Sequence, residues 1–101
     1  MDSRDKIIQS RLFEIQDLIA MDEVSNAIKL SLDFVREFSE DHEKLHMVVL
    51  LSSQFNYNKN QMNLGLIKYE DVYLKRNQIL TGILGLVQQV HDFSNHQNSK
   101  S

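Results

Sequence analysis

The chain has 101 residues, of which 42% are hydrophobic and 25% charged, and 14 acids against 11 bases give a net charge of −3. This length suits one domain with a hydrophobic core of its own. A general phosphate binder needs an excess of Lys and Arg, so we expect no nucleic-acid partner. The absence of Cys excludes a disulfide framework and thiolate chemistry, and it is typical of a reducing compartment.

The N-terminal residues indicate where the protein is found. Met1-Asp2-Ser3-Arg4 is charged where a signal peptide would turn apolar. The longest unbroken apolar run, Met47–Leu51, is far shorter than the roughly 18 residues that span a bilayer. We therefore expect a cytoplasmic protein without membrane contacts.

The pattern of apolar residues predicts helices throughout, because Pro is absent and only three Gly are available for hairpin turns. A first helix is predicted over about residues 4–20, with Ser3 as its N-cap. Asp22 is the predicted N-cap of a second helix, which extends to about Phe38.

The third helix is predicted over about residues 42–63, after a charged connection in which Ser39 or Asp41 is the N-cap. It carries a broad apolar face, which predicts the most buried helix of the fold. Gly65 stands where a left-handed residue would end this helix.

The fourth helix is predicted to begin after Lys68, with Ile67 and Val72 packed together as a hydrophobic staple, and to end near His91. The polar tail at residues 93–101 is predicted to be disordered. The sequence thus predicts a single all-α domain over residues 1–92. Its expected architecture is an antiparallel four-helix bundle with long third and fourth helices.

The segment from His42 to His46 matches the zinc-hydrolase pattern H-E-x-x-H, with Glu43 in the place of the general base. The extended form of that motif would have Gly at position 49 and His at position 52, where this chain has Val49 and Ser52. Lys44 also adds a positive charge inside the motif. We therefore expect no metal, no cofactor and no catalytic residues, and keep a zinc hydrolase as an alternative.

Gly82 and Gly85 form a G-x-x-G within the stripe of the fourth helix. Two glycines in a helix interior cost about 1 kcal/mol each relative to Ala. Close packing between helices would explain them, and so would a low-profile face on which a partner helix docks. The sequence leaves both explanations open.

The corner between the third and fourth helices carries a specific motif. Gly65-Leu66-Ile67-Lys68-Tyr69-Glu70-Asp71 is followed by Arg76-Asn77-Gln78-Ile79 and then by Ile83-Leu84. This stretch resembles the small α-helical effector-associated domains of bacterial conflict systems, with their pattern close to G-x-I-S-Y-E-E, then R-N-x-I, then two large aliphatics. Lys68 departs from that pattern, because the family has Ser there.

The resemblance implies a non-enzymatic, death-like adaptor in bacterial immune signalling. Such a module pairs with a like helical domain, on a second copy or on an effector or NTPase chain, so a homo-oligomer is expected. The structural part of the motif comprises Gly65, Ile67, Val72, Ile79, Ile83 and Leu84. The residues expected to be exposed for recognition are Tyr69, Glu70, Lys75, Arg76 and Asn77.

Charge is distributed unevenly, since residues 1–45 carry a net −5 and residues 46–101 a net +2. Surfaces of opposite sign on one domain favour head-to-tail self-association. We expect an acidic pole at Glu40, Asp41 and Glu43, opposite the basic residues of the fourth helix. Arg76 is expected to reach Asp71 or the third helix. A generic dimeric helical bundle, such as an antitoxin-like regulatory subunit, remains an alternative function.

Overall fold

The computed structural model describes the backbone of residues 3–100 and the side chains of residues 3–93. This part of the chain forms four helices and no strand: α1 (Ser3–Ala20), α2 (Val24–Phe38), α3 (His42–Asn63) and α4 (Tyr69–Lys100). The predicted all-α class is confirmed. Within the described range, no helix is both long enough and apolar enough to cross a membrane.

The helices form a bundle in which α2 and α4 pack across the centre. α1 and α3 lie on opposite sides of that pair, and each contacts both α2 and α4 but not the other. Short connections reverse the chain direction at every step, as in an antiparallel bundle. The connections at residues 21–23 and 64–68 therefore share one end of the bundle, and the connection at residues 39–41 lies at the other end.

The core is built from the inward-facing apolar residues of all four helices. Arg11 of α1 also joins α2 at the periphery, since its guanidinium lies 2.7 Å from the Glu37 carboxylate and 5.4 Å from the centre of the Phe38 ring. The most deeply buried apolar side chains are Ile8, Ile15, Phe34, Val35, Val48, Ile83 and Val87.

α3 is not the most buried helix, contrary to the prediction from its broad apolar face. Among its residues only Val48, Phe55 and Asn58 are buried. Met47 and Leu50 are exposed. The reason is the arrangement of the bundle. α2 and α4 pack against α3, and its apolar face is wider than the part that these two helices cover.

α4 continues to Lys100, past the end predicted near His91. Neither Gly nor Pro follows Gly85, so the sequence contains no residue that would stop the helix there. Among the side chains described up to Phe93, Val90 is the last that is buried. Side chains beyond Phe93 lie outside the described residues, and the predicted disordered tail over residues 93–101 stays a prediction.

Candidate interaction surface

The corner between α3 and α4 is closed by Gly65, as the sequence predicts. Gly65 has a φ of 71°. Its N–H donates to the Met62 carbonyl, and the Leu66 N–H donates to the Gln61 carbonyl, each at 3.0 Å. This pair of bonds is a Schellman motif, which satisfies the last carbonyls of α3. Gly65 therefore has a structural role in this corner.

Asp22 has a different role from the one predicted. It is not the N-cap of α2, which begins at Val24 after Glu23. With a φ of 62°, Asp22 is instead the left-handed residue that ends α1. Its N–H donates to the Ile19 carbonyl at 3.1 Å, and the Glu23 N–H donates to the Leu18 carbonyl at 2.8 Å.

Asp22 in this left-handed conformation pairs with Arg76. The Arg76 guanidinium forms an ion pair with the Asp22 carboxylate, and so joins the second turn of α4 to the α1–α2 connection. The same group lies 5.3 Å from the centre of the Tyr73 ring. The sequence predicted Asp71 or α3 as the partner of Arg76, and the ion pair is formed with Asp22 instead. Only 19% of the Arg76 side chain is exposed, so its contacts here are internal to the domain.

Tyr69 and Glu70 open α4 next to this ion pair, and both are exposed. The rings of Tyr69 and Tyr73 meet edge to face, with their centres 4.8 Å apart. The pKa of the Tyr69 phenol is raised above its usual value. The main cause is a hydrogen bond with the Tyr73 hydroxyl, and partial loss of solvent is the second. The pair gives this end of the bundle an exposed aromatic surface.

Lys75 and Asn77 are both exposed on α4. Lys75 borders the cleft between α3 and α4, whereas the Asn77 carbonyl accepts a bond of 2.8 Å from the Thr81 hydroxyl within α4. The structural positions of the motif are more enclosed. Val72, Ile79 and Ile83 are buried, and Ile67 and Leu84 are half-buried.

The acidic residues of the predicted pole lie at the opposite end of the bundle, around the α2–α3 connection. Asp41 is the N-cap of α3, as predicted: its carboxylate accepts from the Glu43 N–H at 2.9 Å and pairs with Lys44 at 3.0 Å. These bonds lower the pKa of the Asp41 carboxyl, that to Lys44 most strongly. Glu40 and Glu43 are exposed beside it.

The H-E-x-x-H segment forms the first turn of α3, where His42, Glu43 and His46 are all exposed. A catalytic zinc site requires three protein ligands, usually with an enclosing cavity. No three His, Asp or Glu side chains of the described residues come close enough to hold a metal ion. The geometry found here gives the zinc-hydrolase alternative no support.

A groove that the sequence did not predict runs between α3 and α4. Its cavity measures about 550 Å³. Asn58 lies at its floor, where the side-chain amide donates to the Val72 carbonyl at 3.1 Å. Leu51 contacts the position that a Gly82 Cβ would occupy, at 3.2 Å, whereas the Gly85 position is open. The lining residues are Leu50, Leu51, Ser53, Gln54, Tyr57, Asn58, Lys75, Gln78 and Ile79.

Only the breadth of the apolar face on α3 signalled this groove in the sequence. That breadth predicts burial, whereas in the structure the exposed part of the face forms a wall of the groove. The burial of Asn58 gave no signal at all, because Asn58 stands in the polar run from Asn56 to Gln61.

The comparison with known families identifies the class of domain. No curated protein and no solved structure matches the chain. The family model described as effector-associated domain 11 matches residues 10–91. This match covers all of α2 and α3, most of α1 and most of α4, together with the Gly65 corner and the Arg76 ion pair. The chain therefore belongs to the effector-associated domain 11 family.

Proposed function

We propose that this chain is a non-enzymatic adaptor that pairs with a like helical domain, on a second copy or on an effector or sensor NTPase chain. Through this contact it would couple the components of a bacterial anti-phage system in the cytoplasm. Its membership of a family of effector-associated domains supports the proposal. The structure adds a surface that suits a protein partner.

The observation that carries the proposal is the exposed apolar wall on α3. Met47, Leu50 and Tyr57 are 44%, 50% and 64% exposed, and they follow one another along the same side of the helix. Single exposed apolar residues are ordinary, but several on one side of a helix beside a groove are typical of a protein-binding surface. An adaptor needs such a surface and needs no catalytic site.

The recognition residues are exposed, and of those on α4 Lys75 borders the groove beside this wall. On α4 they are Lys75, Asn77, Tyr69 and Glu70, and the acidic pole at Glu40, Asp41 and Glu43 provides charge of the opposite sign. Arg76 supports this surface from within through its pair with Asp22. Because the two poles lie at opposite ends of the bundle, copies can meet with unlike charges in contact.

The test is light scattering coupled to size-exclusion chromatography over a hundredfold concentration range and at two salt concentrations. We expect the mass to grow with concentration and to fall with added salt, because charge steers the contact. A mass of 11.8 kDa under every condition would contradict self-pairing. A closed dimer that never grows would favour the antitoxin-like alternative.

Lys75→Glu is the variant that links this behaviour to the surface. We expect it to weaken association, whereas Lys29→Glu makes the same change of charge at an exposed position of α2 and is the matched control. Arg76→Glu is unsuitable, because it would also break the pair with Asp22 inside the domain.

A further inference from the structure

The groove between α3 and α4 has charges of opposite sign at its two ends. On α3 its wall continues to Glu43 in the first turn, because Glu43, Met47, Leu50, Gln54 and Tyr57 share one side of the helix. On α4 the facing stripe is Lys75, Gln78, Gly82 and Gly85. Glu43 therefore lies near the α2–α3 end of the groove, and Lys75 near the other end. We call this surface the α3–α4 groove.

The outer side of α1 carries a second unpartnered stripe. Its members are Lys6, Ser10, Phe13 and Asp17, with Glu14 beside Phe13, and they line a shallow depression on this helix. Phe13 is 52% exposed although it is a large aromatic. Neither α2 nor α4 covers this side, and α3 does not contact α1. We call this surface the α1 outer stripe.

The two surfaces are complementary in charge and similar in length. Along α1, Lys6 and Asp17 are separated by eleven residues, or about 16 Å at 1.5 Å per residue. Along the groove, the Asn58–Val72 hydrogen bond sets the register of α3 against α4. It places Lys75 about 18 Å from Glu43, measured along the helix axis at the same rise. When Asp17 of another copy lies at Lys75, its Lys6 lies at Glu43.

The same alignment brings the apolar parts together. Phe13 is one turn from Asp17, so it comes beside Leu50, while Gly82 and the open backbone of Gly85 come level with Ser10 and Lys6. A glycine backbone allows an approaching helix to come closer than any other residue would. The glycines of α4 would then have a function in docking in addition to the contact between Gly82 and Leu51.

We propose that the α1 outer stripe of one copy docks in the α3–α4 groove of a second copy, with α1 parallel to the α3 that it contacts. This inference rests on the proposed function of pairing between like domains, and it specifies the two surfaces. The contact is heterologous, because each copy uses a different surface. A row of copies leaves one stripe free at one end and one groove free at the other, so the assembly grows as an open chain.

The test uses two variants that each block one surface, Phe13→Glu and Leu50→Glu. Both positions are about half exposed, so the fold is expected to tolerate the change. Each variant alone is expected to associate about thirtyfold more weakly than the unmodified chain, because an interface anchor is lost. Mixed in equal amounts, they are expected to form a one-to-one dimer that grows no further. In that dimer the intact stripe of one variant fills the intact groove of the other.

Val49→Glu is the matched control, since Val49 is also exposed on α3 but lies off the groove stripe. It is expected to assemble like the unmodified chain. Suppose that the unmodified chain associates. If both blocking variants also associate as strongly, or if their mixture gives no dimer, the proposed pair of surfaces is wrong, although pairing between copies is still supported. If the unmodified chain stays monomeric throughout, pairing itself fails.

A charge exchange tests the register. Lys75→Glu and Asp17→Lys are each expected to weaken association about fivefold, as exposed ion pairs do. Combined in one chain, they are expected to restore it, because the pair is rebuilt with its charges reversed. Failure of the combined variant to recover would contradict the alignment of Asp17 with Lys75.

Discussion

α2 and α3 are adjacent helices with clear apolar faces, yet they bury very different shares of those faces. In its 15 residues α2 buries Val24, Ala27, Ile28, Ser31, Phe34 and Val35. α3 has 22 residues and buries only Val48, Phe55 and Asn58. The difference arises from position, because α2 lies across the centre against α4 and α3 lies at the side. An apolar face is thus a core face in one helix and a candidate binding surface in the other.

The largest effect that can test this contrast is the loss of a large side chain from each helix. Phe34→Ala in α2 is expected to lower the free energy of unfolding by about 3–5 kcal/mol, because Phe34 is fully buried and a cavity remains. Leu50→Ala in α3 is expected to cost less than about 1 kcal/mol, because half of Leu50 is already in solvent. Urea unfolding measures both, and equal losses would contradict the assignment of Leu50 to a surface.

The next effect concerns Asn58, the buried polar residue of α3. Its Oδ1 atom is buried and finds no hydrogen-bond partner among the described residues. Asn58→Asp is expected to destabilise the fold by about 3 kcal/mol at pH 7, because it loses the donor to Val72 and buries a charge. Asn58→Leu is the control, since it removes the polar atoms together and should change stability by less than about 1 kcal/mol. Equal losses in the two variants would show that the lost hydrogen bond to Val72, and not the buried charge, sets the cost.

Two corners of the molecule show how far the sequence could predict the fold. Gly65 and Asp41 were predicted correctly because their signals are local: a glycine tolerates a positive φ, and an aspartate caps the helix that follows it. Asp22 is also a good capping residue, and for that reason it was assigned to the wrong helix. Its left-handed conformation accompanies a contact with Arg76, which is distant in sequence, and no local pattern reveals that contact.

The candidate site was predictable to a similar extent. The exposure of Lys75 and Tyr69 follows from their places outside the apolar stripe, so the sequence identified them. The groove depends on which helices neighbour α3, and this is a property of the whole fold. The burial of Asn58 likewise depends on the approach of Val72 from α4, fourteen residues further along the chain.

A smaller effect on stability is expected from the way in which α3 and α4 begin. Asp41 caps α3 with its side chain. At the start of α4 the Lys68 carbonyl accepts from the Val72 N–H, but the Lys68 side chain cannot accept a hydrogen bond and so cannot cap the helix. Lys68→Ser is expected to stabilise the domain by about 1 kcal/mol, because Ser caps the helix and removes a cation from its positive end. Lys68→Ala separates the two causes, since it removes the cation without adding a cap. An unchanged melting midpoint for Lys68→Ser would show that the helix start is already satisfied.

The smallest effect is the pH dependence of the Asp41 cap. The hydrogen bonds from Lys44 and from the Glu43 N–H hold the pKa of this carboxyl below its usual value of 3.8. A lowered pKa in the folded state means that the stabilisation is present above pH 3.8 and is lost as the pH falls through the folded pKa. We expect a titration of the Asp41 carboxyl followed by NMR to give a midpoint below 3.8, and Lys44→Met to raise that midpoint. Asp41→Asn should lower the melting midpoint at pH 7 and have less effect at pH 3, because pH 3 lies below the usual pKa of 3.8, where the stabilisation from the lowered pKa is reduced. An effect equal at both pH values would mean that the shape of the side chain, and not its charge, stabilises the start of α3.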